Sequence, residues 1–277
     1  MQAGLPENNN SAIPDVTQIP EKRNKDGMLV KLLTGLLLVM FPVGFIIMFT
    51  ESGKPYLWTT TIFLGLETLI LFIILTKLAD LLSVVITTAV IFMASWFIEY
   101  WGVTSGFPFG NYTYSHVLSP LIGGVPLAIM FAWFTVTSSS LLTARFLLKG
   151  TSEISAVVIA SVFILATDIL LEPFASFINN FWVWRGSVIP VQNFGAWLAV
   201  GLMFSAAVSR LIKWDNIKSC SSLNYKIPVV ILIINILNFS AVNIAHGYYI
   251  ITFLGVMMFA VPAVFIKYFI PGKQAAV

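Results

Sequence analysis

The chain has 277 residues, of which 58% are hydrophobic and only 10% charged, with a mean hydropathy of +0.92. Soluble domains carry about 25% charged residues, so a water-soluble fold is excluded. The basic residues behind the net charge of +3 stand singly between apolar runs, which excludes a nucleic-acid-binding face. Cys220 is the only cysteine, so neither an intrachain disulfide nor a thiolate metal cluster can form. His116 and His246 are the only histidines, too few for a histidine-box di-iron oxygenase.

Residues 1–27 are polar, rich in Asn, Pro and Lys, and lack apolar periodicity; they read as a disordered cytoplasmic tail. The apolar run that follows is too long for a cleaved signal peptide. A bilayer core takes about 20 apolar residues per helix. That length predicts an all-α polytopic membrane protein with about eight transmembrane helices, near 28–49, 57–76, 81–102, 121–145, 154–173, 193–211, 227–245 and 248–270. Residues 28–273 are read as a single transmembrane helical domain.

All but two of the 15 basic residues fall on one side of this arrangement, the exceptions being Lys54 and Arg185. The positive-inside rule then places both termini in the cytoplasm and the chain, as a multi-pass protein, in the cytoplasmic membrane. The connections at 103–120 and 174–192 face the outer side. They are aromatic, rich in Gly and Pro, and almost uncharged, which suits segments lying at the interface or folded back over a cavity.

An internal echo is visible. PLAIMFAW at Pro126–Trp133 and PVQNFGAW at Pro190–Trp197 each open a returning span, after an outward span that ends in carboxylates. Duplication of a two-helix unit explains the echo; so does chance in an apolar chain.

Four acids fall inside spans: Glu67, Glu99, Asp168 and Glu172. A charge at the bilayer centre costs at least about 2.5 kcal/mol on insertion scales, which marks such residues as functional candidates. Asp168 and Glu172 are four apart and share one helical face. Glu99 sits at similar depth on the third span. Carboxyls crowded in low dielectric cannot all ionise, so at least one pKa is expected to rise, giving the acid–base pair that proton-transfer chemistry needs. Structural readings stand beside this one. Glu99 also suits an interfacial or helix-capping role, and Asp168 with Glu172 suits a pair satisfied by Arg185 or by backbone groups. Glu67 reads as a hydrogen-bonding partner. Asn235, Asn238 and Asn243, rising toward His246, read either as lining of a hydrated cavity or as interhelical glue.

Tyr100, Trp101, Phe107, Phe109, Tyr112, Tyr114, Phe181, Trp182, Trp184, Phe194 and Trp197 surround these acids in sequence. An interfacial belt accounts for some of them. The Gly-Pro context of FPFGNYTY exceeds what a belt requires, and aromatic faces beside a carboxylic acid suit an apolar substrate that becomes cationic.

At EYWGVTSGFPFGNYTYS (Glu99–Ser115), GGVPLAIMFAW, DILLEP (Asp168–Pro173) and FWVWRGSVIPVQNFGAW (Phe181–Trp197), the chain resembles the integral-membrane carotenoid hydratases, which include γ-carotene 1′-hydratase and bisanhydrobacterioruberin hydratase. These motifs cover the middle third; the flanking spans match only in length and hydrophobicity. The resemblance implies addition of water to the terminal 1′,2′ double bond of an acyclic carotenoid end, giving a tertiary 1′-hydroxyl, with no cofactor and no metal. It implies a carotenoid and membrane lipid as partners and leaves room for association with other carotenoid enzymes. Glu99, Asp168 and Glu172 are then expected to share the catalytic acid and base roles. Trp101, Phe109, Asn111, Tyr112, Tyr114, Trp182, Trp184 and Trp197 are expected to contact substrate, and Asn193 to hold the water.

Three other readings compete. A membrane carotene cyclase makes the same cation but gives a product of unchanged mass. A membrane prenyltransferase needs several Asp beside Lys or Arg on the cytoplasmic side, whereas these acids face outward near Arg185 alone. A proton-coupled small-solute transporter is expected to interrupt its spans near the midplane, whereas this chain gathers Gly and Pro at the outer ends.

Overall fold

The computed structural model describes residues 27–148, 152–214 and 222–269. Of the expected tail at 1–27 all but Gly27, which opens the first helix, lies outside them, as do Cys220 and the basic residues Lys22, Arg23, Lys25, Lys149, Lys218 and Lys273. Among the described residues eight helices are long and apolar enough to cross a membrane: α1 (Gly27–Phe49), α2 (Thr59–Leu78), α3 (Leu81–Ser105), α4 (Leu127–Leu148), α5 (Glu153–Glu172), α6 (Val191–Leu211), α7 (Ser222–Ala245) and α8 (Tyr249–Phe269). All eight spans expected from hydropathy are present.

The differences lie at helix ends and have local causes. α4 starts at Leu127 rather than near 121 because a small hairpin precedes it. Its strands, β2 (Leu121–Ile122) and β3 (Val125–Pro126), turn through Gly123 and Gly124, both at positive φ. α3 begins on Asp80, whose side chain accepts from Ser83 N at 2.9 Å and so satisfies one free N–H of the first turn. α5 passes Pro173 without stopping, continuing as a wider π-helical turn over Pro173–Ile178. Proline brings no N–H to the helical ladder, and such turns recur at functional sites.

α4 is the central post, with 83% of its apolar window buried against 6% for α1. Hydroxyls tie it to α2: Thr68 Oγ1 donates to Phe131 O at 3.2 Å and meets Thr135 Oγ1 at 3.1 Å. At one end of the bundle Arg145 pairs with Glu153 at 2.7 Å and lies 3.6 Å over the Trp214 ring. At the other end the two aromatic connections meet. β1 (Tyr112–Tyr114) pairs antiparallel with β4 (Trp182–Trp184), setting Tyr112 opposite Trp184 and Tyr114 opposite Trp182. This two-stranded cap closes over the C-terminal ends of α3 and α5.

The echo has a geometric counterpart. In each half a helix, a three-residue strand and a further helix follow in order, the first half adding the β2–β3 hairpin before α4, and the two strands, β1 and β4, pair antiparallel. The two tryptophans that end the echo, Trp133 and Trp197, stack at 4.2 Å with 24° between planes.

Candidate active site

Helix α3 brings Glu99 to the carboxylate end of the bundle, where it is buried. The chain then doubles back and lays β1 against it. Tyr112 Oη donates to Glu99 Oε2 at 2.5 Å and Tyr114 Oη to the same oxygen at 2.7 Å. Trp133 Nε1, from the first turns of α4, donates to Oε1 at 2.9 Å. The return is tight because Gly102, one turn beyond Glu99, has no side chain. A Cβ there would lie 2.8 Å from Tyr112 Oη and 2.9 Å from Phe109 Cδ2.

Glu172 is built the same way with different donors. Trp184 Nε1 donates to its Oε2 at 2.8 Å, and Trp182 Nε1 reaches the same oxygen at 3.4 Å. Asn193 Nδ2, from the start of α6, donates to Oε1 at 3.0 Å and to Asp168 Oδ2 at 3.1 Å. One amide therefore bridges the two carboxyls that helical spacing places a turn apart. Asp168 is fully buried, and its Oδ1 has no hydrogen-bond partner among the described residues. Arg185 forms no ion pair with any of these acids; its backbone N–H donates to Asn111 O at 2.9 Å.

Glu99 and Glu172 open into one cavity. Phe109, Tyr112, Tyr114, Trp182, Trp184, Asn193 and Trp197, all expected from the sequence, line it. Asp168 lies behind Asn193 and does not. Trp101 and Asn111 do not line it either. Trp101 is 50% exposed and turned away from Glu99, as two residues along a helix demand. Asn111 is exposed, with its side chain set against Gly106. Trp133, Gly102 and the strand pairing were not anticipated as site features. For Trp133 the signal was in the chain: it occupies the place of Trp197 in the echo.

Burial pushes both Tyr112 and Tyr114 well above the ordinary phenol value, and the Glu99 carboxylate adds to the shift in each. Both therefore stay protonated and donate. Of the polar row on α7, Asn235 and Asn238 line the cavity; Asn235 Nδ2 also donates to Glu67 at 2.9 Å, Asn243 Nδ2 donates to Leu170 O at 2.8 Å, and His246 is exposed. Among the described residues no cluster of His, Cys, Asp or Glu is arranged to hold a metal ion.

The fold and site together define a polytopic helical protein with an aromatic cavity that holds two buried carboxyls, each bonded only by neutral donors. Comparison with known proteins gives the family. A family model for carotenoid biosynthesis proteins matches residues 59–262, and the chain belongs to that family. It is similar to a bisanhydrobacterioruberin hydratase of Haloarcula japonica, 29% identical over 136 residues, covering 46% of each chain. The match thus spans less than half the length of that relative. No solved structure matches the chain.

Proposed function

We propose that this protein hydrates the terminal trisubstituted double bond of an acyclic carotenoid end, using Glu99 and Glu172 as the acid and base. The observation that carries this reading is the facing of both carboxyls into one aromatic cavity, with no cation paired to either. An isolated alkene is a poor base, so its protonation needs an undissociated acid held against the carbon in a dry site. One carboxylic acid gives its proton to the CH carbon of the double bond, and the π electrons form the new C–H bond. Positive charge is left on the tertiary carbon, where the faces of Trp182, Trp184, Tyr112 and Trp197 and the remaining carboxylate stabilise it. Water adds to that carbon, the second carboxylate takes the water's surplus proton, and the tertiary alcohol leaves. Proton exchange between the carboxyls restores the starting state, so no redox partner enters the balance.

Asp168 acts through Asn193. By sharing that amide with Glu172 it fixes the orientation of both, and is a positioning residue in this scheme. The similarity to a hydratase supports the same chemistry.

The test is pigment analysis in a bacterial host making lycopene or γ-carotene and expressing the protein, beside Glu99→Gln and Glu172→Gln at matched membrane levels. A more polar pigment heavier by one water, lost in both variants, is expected. A cyclic product of unchanged mass moves the protein to the cyclases. Unchanged pigment with folded protein removes both readings.

A further inference from the structure

The carboxylate cavity does not end at the acids. At its far side it is walled by Met48, Thr60, Phe63 and Asn238, and these same four residues line a second cavity between α1 and α2. That second space runs along the C-terminal half of α1, where the rim residues Val39 and Val43 are 68% and 56% exposed. Its lining is apolar apart from Thr59, Thr60 and Asn238. Helix α1 is the least buried of the eight, so this wall is the one most easily moved. Gly44 lies within the groove, and a Cβ placed on it meets nothing within 4 Å. The waist between the two spaces is closed by Met48, whose sulfur accepts from Asn238 Nδ2 at 3.3 Å. An unbranched thioether is the side chain best able to swing aside.

We infer that the α1/α2 groove is a binding site for the polyene shaft of the substrate, which enters sideways from the bilayer past Met48 and stays in the groove while its end group reaches Glu99 and Glu172. The occupant follows from continuity and from chemistry. Only the shared wall of Met48, Thr60, Phe63 and Asn238 separates the groove from the acids' cavity, and a long rigid hydrocarbon dissolved in the bilayer must keep its unreacting length in apolar surroundings. A lipid acyl chain would fill the groove equally well but has no reason to share a waist with the carboxylates. The waist also carries two buried oxygens with no hydrogen-bond partner among the described residues, Thr60 Oγ1 and Asn238 Oδ1. A newly made tertiary alcohol passing outward finds acceptors there. This inference rests on the hydratase reading for the identity of the reacting end.

The experiment compares wild type, Gly44→Phe and, as a control on the same helix, Gly35→Phe, whose Cβ also points into open space. Each is given the full-length carotenoid and a short acyclic terpene with the same trisubstituted end. Gly44→Phe is expected to lower conversion of the full-length substrate by about tenfold or more while leaving the short one near wild type, which removes uniform misfolding as the cause. Gly35→Phe is expected to leave both unchanged. Wild-type conversion of the full-length carotenoid by Gly44→Phe, or equal loss of both substrates, overturns the proposal. Should wild type convert neither substrate, the hydratase reading fails. The groove is then judged by the carotenoid that co-purifies with the protein: less with Gly44→Phe upholds it, an equal amount overturns it.

Discussion

The Glu99 half and the Glu172 half of this molecule share a plan and differ in chemistry. In each, a helix carries a buried glutamate in its C-terminal part, a three-residue strand returns two aromatic donors to it, and the next helix adds a donor from its first turns. On the Glu99 side the strand donors are phenols; on the Glu172 side they are indoles. A phenol both donates and accepts, whereas an indole N–H only donates, so the strand residues around Glu99 have an acceptor lone pair that those around Glu172 lack. The second half also carries an addition. Asp168 lies four residues before Glu172, and the corresponding place before Glu99 is Ser95, whose hydroxyl bonds to Phe92 O. Asn193 has Ile129 as its counterpart, four residues before the echo tryptophan in each half. The carboxyl and the amide that bridges it thus occur together on one side and are absent together on the other. A repeated scaffold supplies two acids, and the departures from symmetry give them unequal surroundings.

The largest effect should come from removing either member of the pair. Glu99→Gln and Glu172→Gln are each expected to lower conversion by about a hundred- to ten-thousand-fold, the usual range for a general acid or base. If one of them retains near-normal rate, the two halves are not equivalent partners. Making the second half resemble the first, with Asp168→Ser and Asn193→Ile together, should lower the rate by about tenfold to a hundredfold. Each single change alone should lose nearly as much as the pair, because the amide and the carboxyl act as one unit. Additive losses would break the positioning role.

Exchanging donor types is a finer probe. Tyr112→Phe removes one of three donors to Glu99 and is expected to lower the rate by about tenfold; Trp184→Phe should do the same through Glu172. A much larger loss for the tyrosine would mark it as a proton carrier. Gly102→Ala forces a Cβ against Tyr112 and Phe109 and should lower stability by about 1–3 kcal/mol, measured as thermal inactivation in detergent, with a smaller change in the Glu172 half. The smallest effect concerns alkaline pH. The folded-state pKa of Tyr112 and Tyr114 is raised above the unfolded value near 10. Their contribution to stability is therefore intact below pH 10 and is lost only as pH climbs beyond it toward the folded value. No alkaline limb from these phenols should appear in a pH–rate profile below about pH 10.

Much of this was legible in the chain. Eight spans follow from apolar run length because bilayer thickness fixes how many residues a helix must keep apolar. The shared face of Asp168 and Glu172 follows from helical period, and the same arithmetic places Trp101 on the far side of α3 from Glu99. Nearness in sequence to the motif is what suggested otherwise. Asn111 misled for a related reason. It stands in the motif, yet alternation along the returning strand hands the inward positions to Tyr112 and Tyr114.

By itself, then, the sequence determined an eight-span helical protein, the shared helical face of Asp168 and Glu172 and most of the aromatic wall, since each depends on length, period or composition along one segment. Tertiary structure alone decided that Glu99 and Glu172 share a cavity, that Asp168 stands behind Asn193, and that Trp133 holds Glu99. These depend on how each helix is rotated against its neighbours and on the pairing of two strands about seventy residues apart. Nothing in a single span's periodicity encodes that pairing; it is set when small residues such as Gly102 let the segments close.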